Sequence, residues 1–585
     1  MTTNGLPIDY ARFDSAVGLN WYEVDPNLRR LMDRHIAPDK REWAEGHLQR
    51  WGELCGGPIA ERAEIVDKNP PRLERYDQWG NEQFRVVHHP AAIENKRAIW
   101  EQGPSGIRKA AGEEVPPVLG SAFTYLLSQS DTGMVCATGM TGGVEGLVSR
   151  FAPPEVRDRV LPHLQAPRFD DDAWDGAMFM TEIRGGSDLA NSETVATERN
   201  GGWSLSGSKW FCSNADARAI VTLAKVDNGE TGLRALGLFL VPAERADGSP
   251  NGIVIKRIKD KLGTKSVPTA EIDLVDAEAY SLSSGGTDAS SNARGLNRMM
   301  SMVNGSRLGV ATMGLGIMRR SFLEASIYAA HRESFGKRLD AHPMVRETLV
   351  RMATEVEAVS AGVFETSSLS GSTGDEERRQ LYRIMVPLAK LNGARGGVEM
   401  AIKGVEMLGG NGYIENWPTA RQLRDAQCHT IWEGTENIIC LDVLRAMARE
   451  QAHDALLDRI ERAIAGSEDP RLGAMRDAVA DGLREAKEAI AFLTNASDEL
   501  RQLHARRLAT WLADLTQAAL LVEQAAAELK ETGSARKAAV ARVFIQEHVV
   551  ASPLRGIGED ASVLELFDSI TRYQPLEPSA LPAGV

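Results

Sequence analysis

At 585 residues the chain is too long for one hydrophobic core, and its length predicts about three or four domains. Hydrophobic residues make up 43% of it and charged residues 25%, as in an ordinary soluble globular protein. The net charge of −14 opposes non-specific attraction to nucleic acid, although a local basic face could override it.

The sequence also disfavours a membrane-spanning or secreted protein and a protein held together by zinc or disulfides. No apolar run approaches the roughly 18 residues that cross a bilayer, and residues 1–17 lack the apolar segment of a secretory signal, so we expect a cytoplasmic protein with no membrane span. The cysteines are odd in number and have no C-x-x-C spacing, so a zinc site or disulfide framework is not expected. We predict buried thiols at Cys55, Cys136, Cys212, Cys428 and Cys440.

Residues 1–173 are predicted to form a mainly helical N-terminal domain. Proline-containing breaks at residues 69–71 and 88–90 interrupt its helical pattern, because a residue before proline is driven out of the α region. The adjacent His88 and His89 also suggest a metal site, but no third ligand stands at a familiar spacing.

Residues 174–280 change to short β-prone runs separated by turn sequences such as Asn200-Gly201-Gly202, which favours an antiparallel barrel or sandwich. Of these two architectures, we predict the barrel. The runs are Gly176–Met180, Trp203–Gly207, Ala219–Ala224, Leu236–Val241 and Ala270–Val275.

Residues 281–450 are predicted to be a helical bundle domain that begins with a flexible Ser/Gly-rich connector over residues 281–292. Residues 451–585 are predicted to be a separate C-terminal helical domain, and the fold class is α+β, mainly α. Apolar residues step by four and three at Val345, Leu349, Met352, Val356 and Val359, at Ile384, Leu388, Leu391, Ala394, Val398, Ile402 and Val405, and at Leu508, Leu512, Leu515, Ala519 and Val522.

Two stretches in the predicted barrel suit a flavin. Residues 180–188 offer hydroxyls and glycine-freed backbone amides for polar ring atoms, although a plain Gly-Ser turn is the alternative. Residues 207–214 place an aromatic side chain, Phe211, two positions before the hydroxyl of Ser213. Core packing in a strand could equally account for Trp210 and Phe211.

Two further stretches lie in the predicted bundle. In residues 331–337, Arg332 supplies a fork of donors for a diphosphate and Ser334 a hydroxyl beside it. A Gly-Gly-Asn-Gly loop at 409–412 leads to a turn that holds Glu433 between an indole and a glycine. Apolar cover raises the pKa of a carboxylate toward the working pH, so Glu433 suits a general base, with a solvated loop glutamate as the alternative.

Read together and in this order, the four stretches resemble the acyl-CoA dehydrogenase family, and within it the branch typified by the adaptive-response flavoprotein AidB. The resemblance covers roughly residues 60–450, and the length of the helical tail suits that branch. It implies an N-terminal helical domain, a central β-barrel, a helical bundle and an extra C-terminal helical domain. It also implies FAD as the cofactor.

The resemblance assigns roles to the residues of the barrel. It implies that Thr181, next to Met180, bonds the isoalloxazine edge and that Ser187 lies near the ribityl chain or the pantetheine of the substrate. Phe211 would stack on the flavin where the family usually has tryptophan, and Ser213 would touch flavin N5.

Further roles fall on the bundle. Arg332 and Ser334 would reach the FAD of a neighbouring subunit, which implies a homo-oligomer, either a dimer or a tetramer. Gly409 and Gly410 would pass the FAD adenine and diphosphate, although Glu406 replaces a frequent glutamine and puts the adenine-side contact in doubt. The same resemblance places Thr435 at the cofactor, Arg307 at the nucleotide end of coenzyme A, Trp432 and Gly434 at the substrate, and Glu433 as the catalytic base.

The implied activity is FAD-dependent dehydrogenation of an acyl-CoA thioester to a trans-2-enoyl-CoA, with hydride transfer to FAD and reoxidation by an electron-transfer flavoprotein. One alternative is an AidB-like, DNA-associated alkylation-response flavoprotein, and another is an acyl-CoA oxidase. The tail argues against DNA binding, because residues 451–585 hold 15 Lys and Arg against 21 Asp and Glu, a net charge of −6. Its one dense basic patch is Arg501, Arg506 and Arg507.

Overall fold

The computed structural model describes residues 7–104, 106–107, 115–199, 202–227, 229–282, 295–371, 374–551, 560–582 and 584. Packing divides the chain into two compact units. The helical unit consists of Met1–Pro58, Pro116–Gln129 and Val310–Val585, and the mixed unit of Ile59–Val115 and Ser130–Gly309. The four consecutive domains that the sequence suggests stay a prediction.

The first part of the chain is mainly helical, as predicted. Several helices begin at proline, whose missing N–H is not needed in a first turn. The helices are α1 (Pro26–His35), α2 (Arg41–Leu54), α3 (Ala60–Lys68), α4 (Pro90–Gln102), α5 (Pro117–Ser128), α6 (Thr132–Phe151) and α7 (Pro154–Leu164).

A β-hairpin, β1 (Arg72–Tyr76) and β2 (Glu82–Val87), lies between the two predicted proline breaks. The sequence analysis missed it because its strands are largely polar and exposed, so they lack the alternation that marks a half-buried strand. Partly buried Leu73, Phe84 and Val86 attach the hairpin to the core of the mixed unit.

A seven-stranded sheet forms the centre of the mixed unit. The five predicted runs are all strands, whereas β4 and β8 were missed. The strands are β3 (Gly176–Phe179), β4 (Val195–Arg199), β5 (Gly202–Ser213), β6 (Ala219–Val226), β7 (Leu236–Pro242), β8 (Ile253–Ile258) and β9 (Thr269–Ser281). Their order is β3-β6-β4-β5-β9-β7, with β8 paired to β9 and a further pairing between β6 and β7.

The predicted antiparallel barrel needs two corrections. β6 pairs in parallel with β3 and with β4, so the sheet is mixed. The sheet also does not close into a regular barrel, because β7 meets β9 at Phe239–Ser281 and Leu240–Tyr280, near the end of β9 alone. The long strands β5 and β9 pair antiparallel with register shifts, which bend a sheet locally.

The predicted connector over residues 283–292 lies outside the described residues. The prediction that the connector begins at residue 281 is wrong, because Ser281 ends β9 and Leu282 is fully buried. The Leu282 N–H donates to the carbonyl oxygen of Leu238 at 2.9 Å, which extends the pairing of the sheet.

The rest of the chain is helical. The helices are α8 (Gly295–His331), α9 (Pro343–Ser368), α10 (Glu376–Leu408), α11 (Pro418–His429), α12 (Glu436–Glu450), α13 (Ala452–Ala465), α14 (Gly473–Thr494), α15 (Asp498–Thr532), α16 (Arg536–His548), α17 (Ser562–Glu565) and α18 (Phe567–Thr571). In the described part of the chain, no helix is both long and apolar enough to cross a membrane.

The predicted apolar stripes lie in α9, α10 and α15. The predicted stripe residues are buried from Leu349 to Val359 in α9 and from Leu508 to Val522 in α15. The α10 stripe is buried as far as Val398, but Ile402 is 39% exposed. The α15 helix packs on α9, α10, α13 and α14, so the helical tail shares its core with the bundle.

Candidate catalytic turn and cofactor-contacting segments

Glu433 lies in the segment that joins α11 to α12, in the helical unit. Its backbone is left-handed, with φ +56°, and φ of the next residue, Gly434, is +112°. The α11 helix ends nearby, where the Trp432 N–H donates to the Cys428 carbonyl at 2.9 Å. Glu433 and Trp432 are both half-buried, so the carboxylate is neither sealed in the core nor fully solvated.

The turn rests on Lys390 of α10, which sequence reasoning missed. Lys390 is 1% exposed, and its Nζ donates to the Gly434 carbonyl oxygen at 2.5 Å. The same region holds His429, which is fully buried with its ring centroid 6.2 Å from that of Trp432. Burial, reinforced by the Lys390 charge, lowers the pKa of His429 to about 3, so the imidazole is neutral. A lysine inside the apolar stretch 386–391 is the one sequence signal for this arrangement.

Residues 180–188 form a turn after β3 in the mixed unit. Met180 packs partly into the core, Thr181 is half-buried, and Ser187 is exposed. The Thr181 carbonyl accepts the N–H of Trp210 at 2.9 Å, so the first predicted flavin segment is tied to the second. The two segments therefore lie side by side, as a shared ligand would require.

A buried ion pair fixes these two segments to each other. Lys209 Nζ lies 2.7 Å from Glu182 Oε1, with side-chain exposures of 0% and 3%. Thr194 Oγ1 also donates to Glu182 Oε1 at 2.6 Å, and Lys209 donates to the Leu223 carbonyl at 2.8 Å. Burial opposes ionisation of Glu182, but the Lys209 charge and these hydrogen bonds outweigh it and lower the pKa of the carboxyl. Sequence reasoning missed both partners of this pair.

Phe211 and Ser213 lie near the end of β5. The Phe211 side chain is 56% exposed, which contradicts the alternative that it is a core residue. Ser213 is half-buried, and its hydroxyl lies 2.9 Å from that of Thr269. The Lys259 ammonium is 3.6 Å from the Trp210 ring centroid and 4.8 Å from that of Phe211, so a cation holds both rings at this edge of the sheet.

The segment at 331–337 belongs to the helical unit. Two short strands, β10 (Glu333–Ser334) and β11 (Lys337–Arg338), form a hairpin. Its turn residues have positive φ, and the tip, Phe335, is 97% exposed. Arg332 is exposed before this hairpin, and Ser334 is half-buried within it.

The loop at 409–413 is a short 3-10 helix after α10. Gly409 has φ +59°, and Gly409 and Gly410 are both exposed, with open space where a Cβ would lie. The neighbouring Glu406 pairs with Lys403 at 3.0 Å. Because Lys403 balances its charge, the unfavourable effect expected of Glu406 near a phosphate is reduced.

Other candidate residues have different surroundings from those expected. Arg307 is 5% exposed, so it is a buried residue and not a surface charge. The paired histidines have separate contacts, because His88 Nε2 lies 2.8 Å from Asp216 and His89 accepts the Ala91 N–H at the start of α4. Cys55, Cys212 and Cys440 are buried as predicted, whereas Cys136 and Cys428 are half-buried.

The basic patch of the tail is partly neutralised. Arg501 pairs with Asp498 at 3.5 Å, and Arg506 pairs with Glu436 of α12. Cations that are already paired gain less from a phosphate backbone, which reduces the case for DNA binding through this surface.

Comparison with known proteins identifies the family. Residues 293–448 match the acyl-CoA dehydrogenase C-terminal domain, residues 177–277 the middle domain, and residues 13–171 the N-terminal domain of the adaptive response protein AidB. Acyl-CoA dehydrogenase family member 11 of Caenorhabditis elegans is 30% identical over 531 residues, which cover 86% of this chain and 84% of the relative. The chain belongs to the acyl-CoA dehydrogenase family.

Two further similarities place this acyl-CoA dehydrogenase family member more closely. The putative acyl-CoA dehydrogenase AidB of Escherichia coli is 29% identical over 442 residues, 74% of this chain and 78% of that protein. The structure of Caenorhabditis elegans ACDH-11 in complex with C11-CoA superposes with a TM-score of 0.81 at 26% identity, covering 96% of this chain and 93% of the other. The resemblance to the family and its AidB-like branch is therefore confirmed.

Proposed function

We propose that this protein is an FAD-dependent acyl-CoA dehydrogenase that converts an acyl-CoA thioester to a trans-2-enoyl-CoA. The observation that carries the proposal is the position of Glu433. It lies on a left-handed turn, half-buried beside an indole, within the segment that matches the family's C-terminal domain. A carboxylate on a supported turn with a glycine beside it suits a base that must approach a substrate closely.

Glu433 would accept the proton from the α-carbon of the thioester. That proton is weakly acidic, so the developing negative charge on the thioester oxygen needs donors placed in advance. The backbone N–H of Glu433 would supply one donor. Trp432 and Gly434 would line the substrate beside it, with the indole reducing contact with water and the glycine leaving room for the acyl chain.

The segments of the mixed unit fit a flavin. An exposed phenylalanine at a strand end offers a face for a planar ring, and Thr181 and Ser213 bring hydroxyls to the same pair of tied segments. Met180 and Ser187 would complete this side. Bound FAD supplies the acceptor for the hydride that leaves the β-carbon.

Residues of the helical unit would contact the diphosphate end of FAD. Gly409 and Gly410 allow close backbone approach, and Thr435 adds a hydroxyl at the start of α12. Arg332 and Ser334 would contact FAD bound to a neighbouring subunit. Arg332 is exposed and the hairpin after it has an exposed tip, Phe335, so this segment is accessible to a neighbouring subunit. An electron-transfer flavoprotein would be the electron acceptor.

The substrate would be a coenzyme A thioester, with Arg307 at the nucleotide end. The similar Caenorhabditis elegans structure contains C11-CoA, so chains near that length are the first to test. Purified, FAD-loaded protein is mixed without oxygen with saturated acyl-CoA thioesters of increasing length. Loss of the yellow flavin absorbance with one class of chain length would support the proposal and fix the substrate class.

A carboxylate variant tests the base. We expect Glu433→Gln to retain FAD but to lose bleaching by a factor of about 1,000 or more, since a neutral amide cannot accept the proton. The matched control is Glu415→Gln, which changes a 59%-exposed carboxylate paired with Arg424 and should bleach normally. Normal bleaching by Glu433→Gln would show that another group is the base.

A further inference from the structure

Lys390 carries a charge in a position where charges are costly. It lies in the middle of α10, is 1% exposed, and has buried neighbours at Leu388, Ala389 and Leu391. Burying an ammonium is costly unless good acceptors replace its water. The Lys390 Nζ donates to one such acceptor, the Gly434 carbonyl oxygen, at 2.5 Å.

The acceptor belongs to an unusual piece of backbone. Glu433 and Gly434 have φ +56° and +112°, and the left-handed region is unfavourable for a residue other than glycine. Such a conformation persists when its surroundings hold it. The turn is fixed by the Trp432 N–H to the Cys428 carbonyl on one side and by the Ile439 N–H to the Thr435 carbonyl on the other. Lys390 holds the peptide between these two anchors.

Two titratable groups near Lys390, His429 and Cys440, are neutral. Among the described residues neither ring nitrogen of His429 has a hydrogen-bond partner, and the imidazole is neutral because burial and Lys390 lower its pKa to about 3. Burial and the Glu436 carboxylate raise the pKa of the Cys440 thiol to about 11, so that group is also neutral at working pH.

The charged residues nearby have partners of their own. Glu436, which begins α12, pairs with Arg395 of α10 and with Arg506 of α15. These two arginines balance the charge of Glu436 next to the turn.

We propose that Lys390 is a positioning residue for the base: its ammonium holds the Gly434 carbonyl and so keeps Glu433 in the left-handed conformation used for proton abstraction. This inference rests on the proposed role of Glu433. Displacing a base by about 1 Å can lower a rate on the order of 100-fold, so a single lost contact under the turn has a large effect.

The test uses Lys390→Met, which keeps the length of the side chain but removes its charge, and Lys390→Arg, which keeps the charge. Lys487→Met is the control, because Lys487 lies in α14, away from the proposed site, with its side chain 48% exposed. We expect Lys390→Met to lower kcat for thioester reduction about 10- to 100-fold with KM within about twofold, and Lys390→Arg to recover part of the loss.

A second measurement does not depend on activity. Hydrogen exchange at the amides of residues 433–439 should become faster in Lys390→Met and stay unchanged in Lys487→Met. If none of the thioesters bleaches the flavin of the wild-type protein, the proposed function fails, and the exchange result still decides whether Lys390 holds the turn. If Lys390→Met does not fold, Lys390→Gln, which retains an N–H donor without a charge, is measured in the same way.

Two results would overturn the proposal. One is unchanged exchange across the turn in Lys390→Met. The other is a loss of rate that follows loss of FAD, which would be the mark of a general structural defect. Faster exchange confined to the turn, together with a lower kcat at nearly unchanged KM, supports it.

Discussion

Replacement of Lys209 by methionine tests whether one buried ion pair holds together the two segments proposed to contact the flavin. Methionine keeps most of the volume of the lysine stem but removes the ammonium. Glu182 would then lose the charge of Lys209 while remaining in an environment where its side chain is 3% exposed. The Leu223 carbonyl would lose the donor that now lies 2.8 Å away.

The size of the effect follows from these contacts. Removing one partner of a buried ion pair costs about 3–5 kcal/mol, because the other charge is left uncompensated. Glu182 keeps the hydroxyl and N–H of Thr194 as donors, at 2.6 and 3.3 Å, so we expect the lower end, about 3 kcal/mol. For a unit of 150–250 residues this corresponds to a Tm lower by roughly 6–12 °C.

The assay is thermal unfolding of the FAD-loaded protein, followed by far-UV circular dichroism and by release of flavin fluorescence. The control is Lys256→Met, which removes an ion pair to Asp273 at 3.1 Å whose lysine side chain is 49% exposed. Exposed pairs contribute about 0–1 kcal/mol, so its Tm should stay within about 3 °C of wild type. Flavin should be released earlier in Lys209→Met, because Lys209 and Glu182 lie in the two segments.

A third variant sharpens the comparison. Glu182→Met leaves Lys209 and both Thr194 donors without their acceptor, so it should be at least as destabilising as Lys209→Met. The reasoning is refuted if Lys209→Met unfolds within about 1 kcal/mol of wild type, or if Lys256→Met has the larger effect.

Two other predictions concern the flavin face and pH. Because Phe211 is 56% exposed, Phe211→Ala should change the free energy of unfolding by less than about 1 kcal/mol. It should nevertheless weaken FAD binding about tenfold, whereas Phe211→Trp should retain FAD affinity. Equal FAD affinity of wild type and both variants in a fluorescence titration would contradict this. Burial opposes protonation of His548, but the hydrogen bond and charge of Glu355 raise its pKa to about 8. The folded pKa lies above the unfolded value, so this stabilisation is complete below about pH 6.5 and is lost as the pH rises through about 8. The free energy of unfolding should fall between pH 6.5 and pH 9 by about 1–2 kcal/mol more in wild type than in His548→Gln, as measured by denaturant unfolding at both pH values. The same fall in both proteins would exclude His548 as its source.

The sequence was informative wherever a local pattern decides the structure. The helical stripes of α9, α10 and α15 and the five β-prone runs follow from side-chain periodicity, which is a property of neighbouring residues. The same holds for the breaks at 69–71 and 88–90, where proline acts on the residue before it. The β1–β2 hairpin between those breaks escaped because polar strands on a surface carry no such periodicity.

By itself the sequence also determined the family, since four short motifs occur in its order, and it selected Glu433 as the candidate base. The tertiary structure decided what supports these residues. Lys209 meets Glu182 across 27 positions of the chain, and Lys390 meets Gly434 across 44, so neither pair follows from local spacing. A buried lysine reads in sequence as an ordinary charge, and its acceptor is fixed when strands and helices pack and exclude the water that would otherwise solvate it.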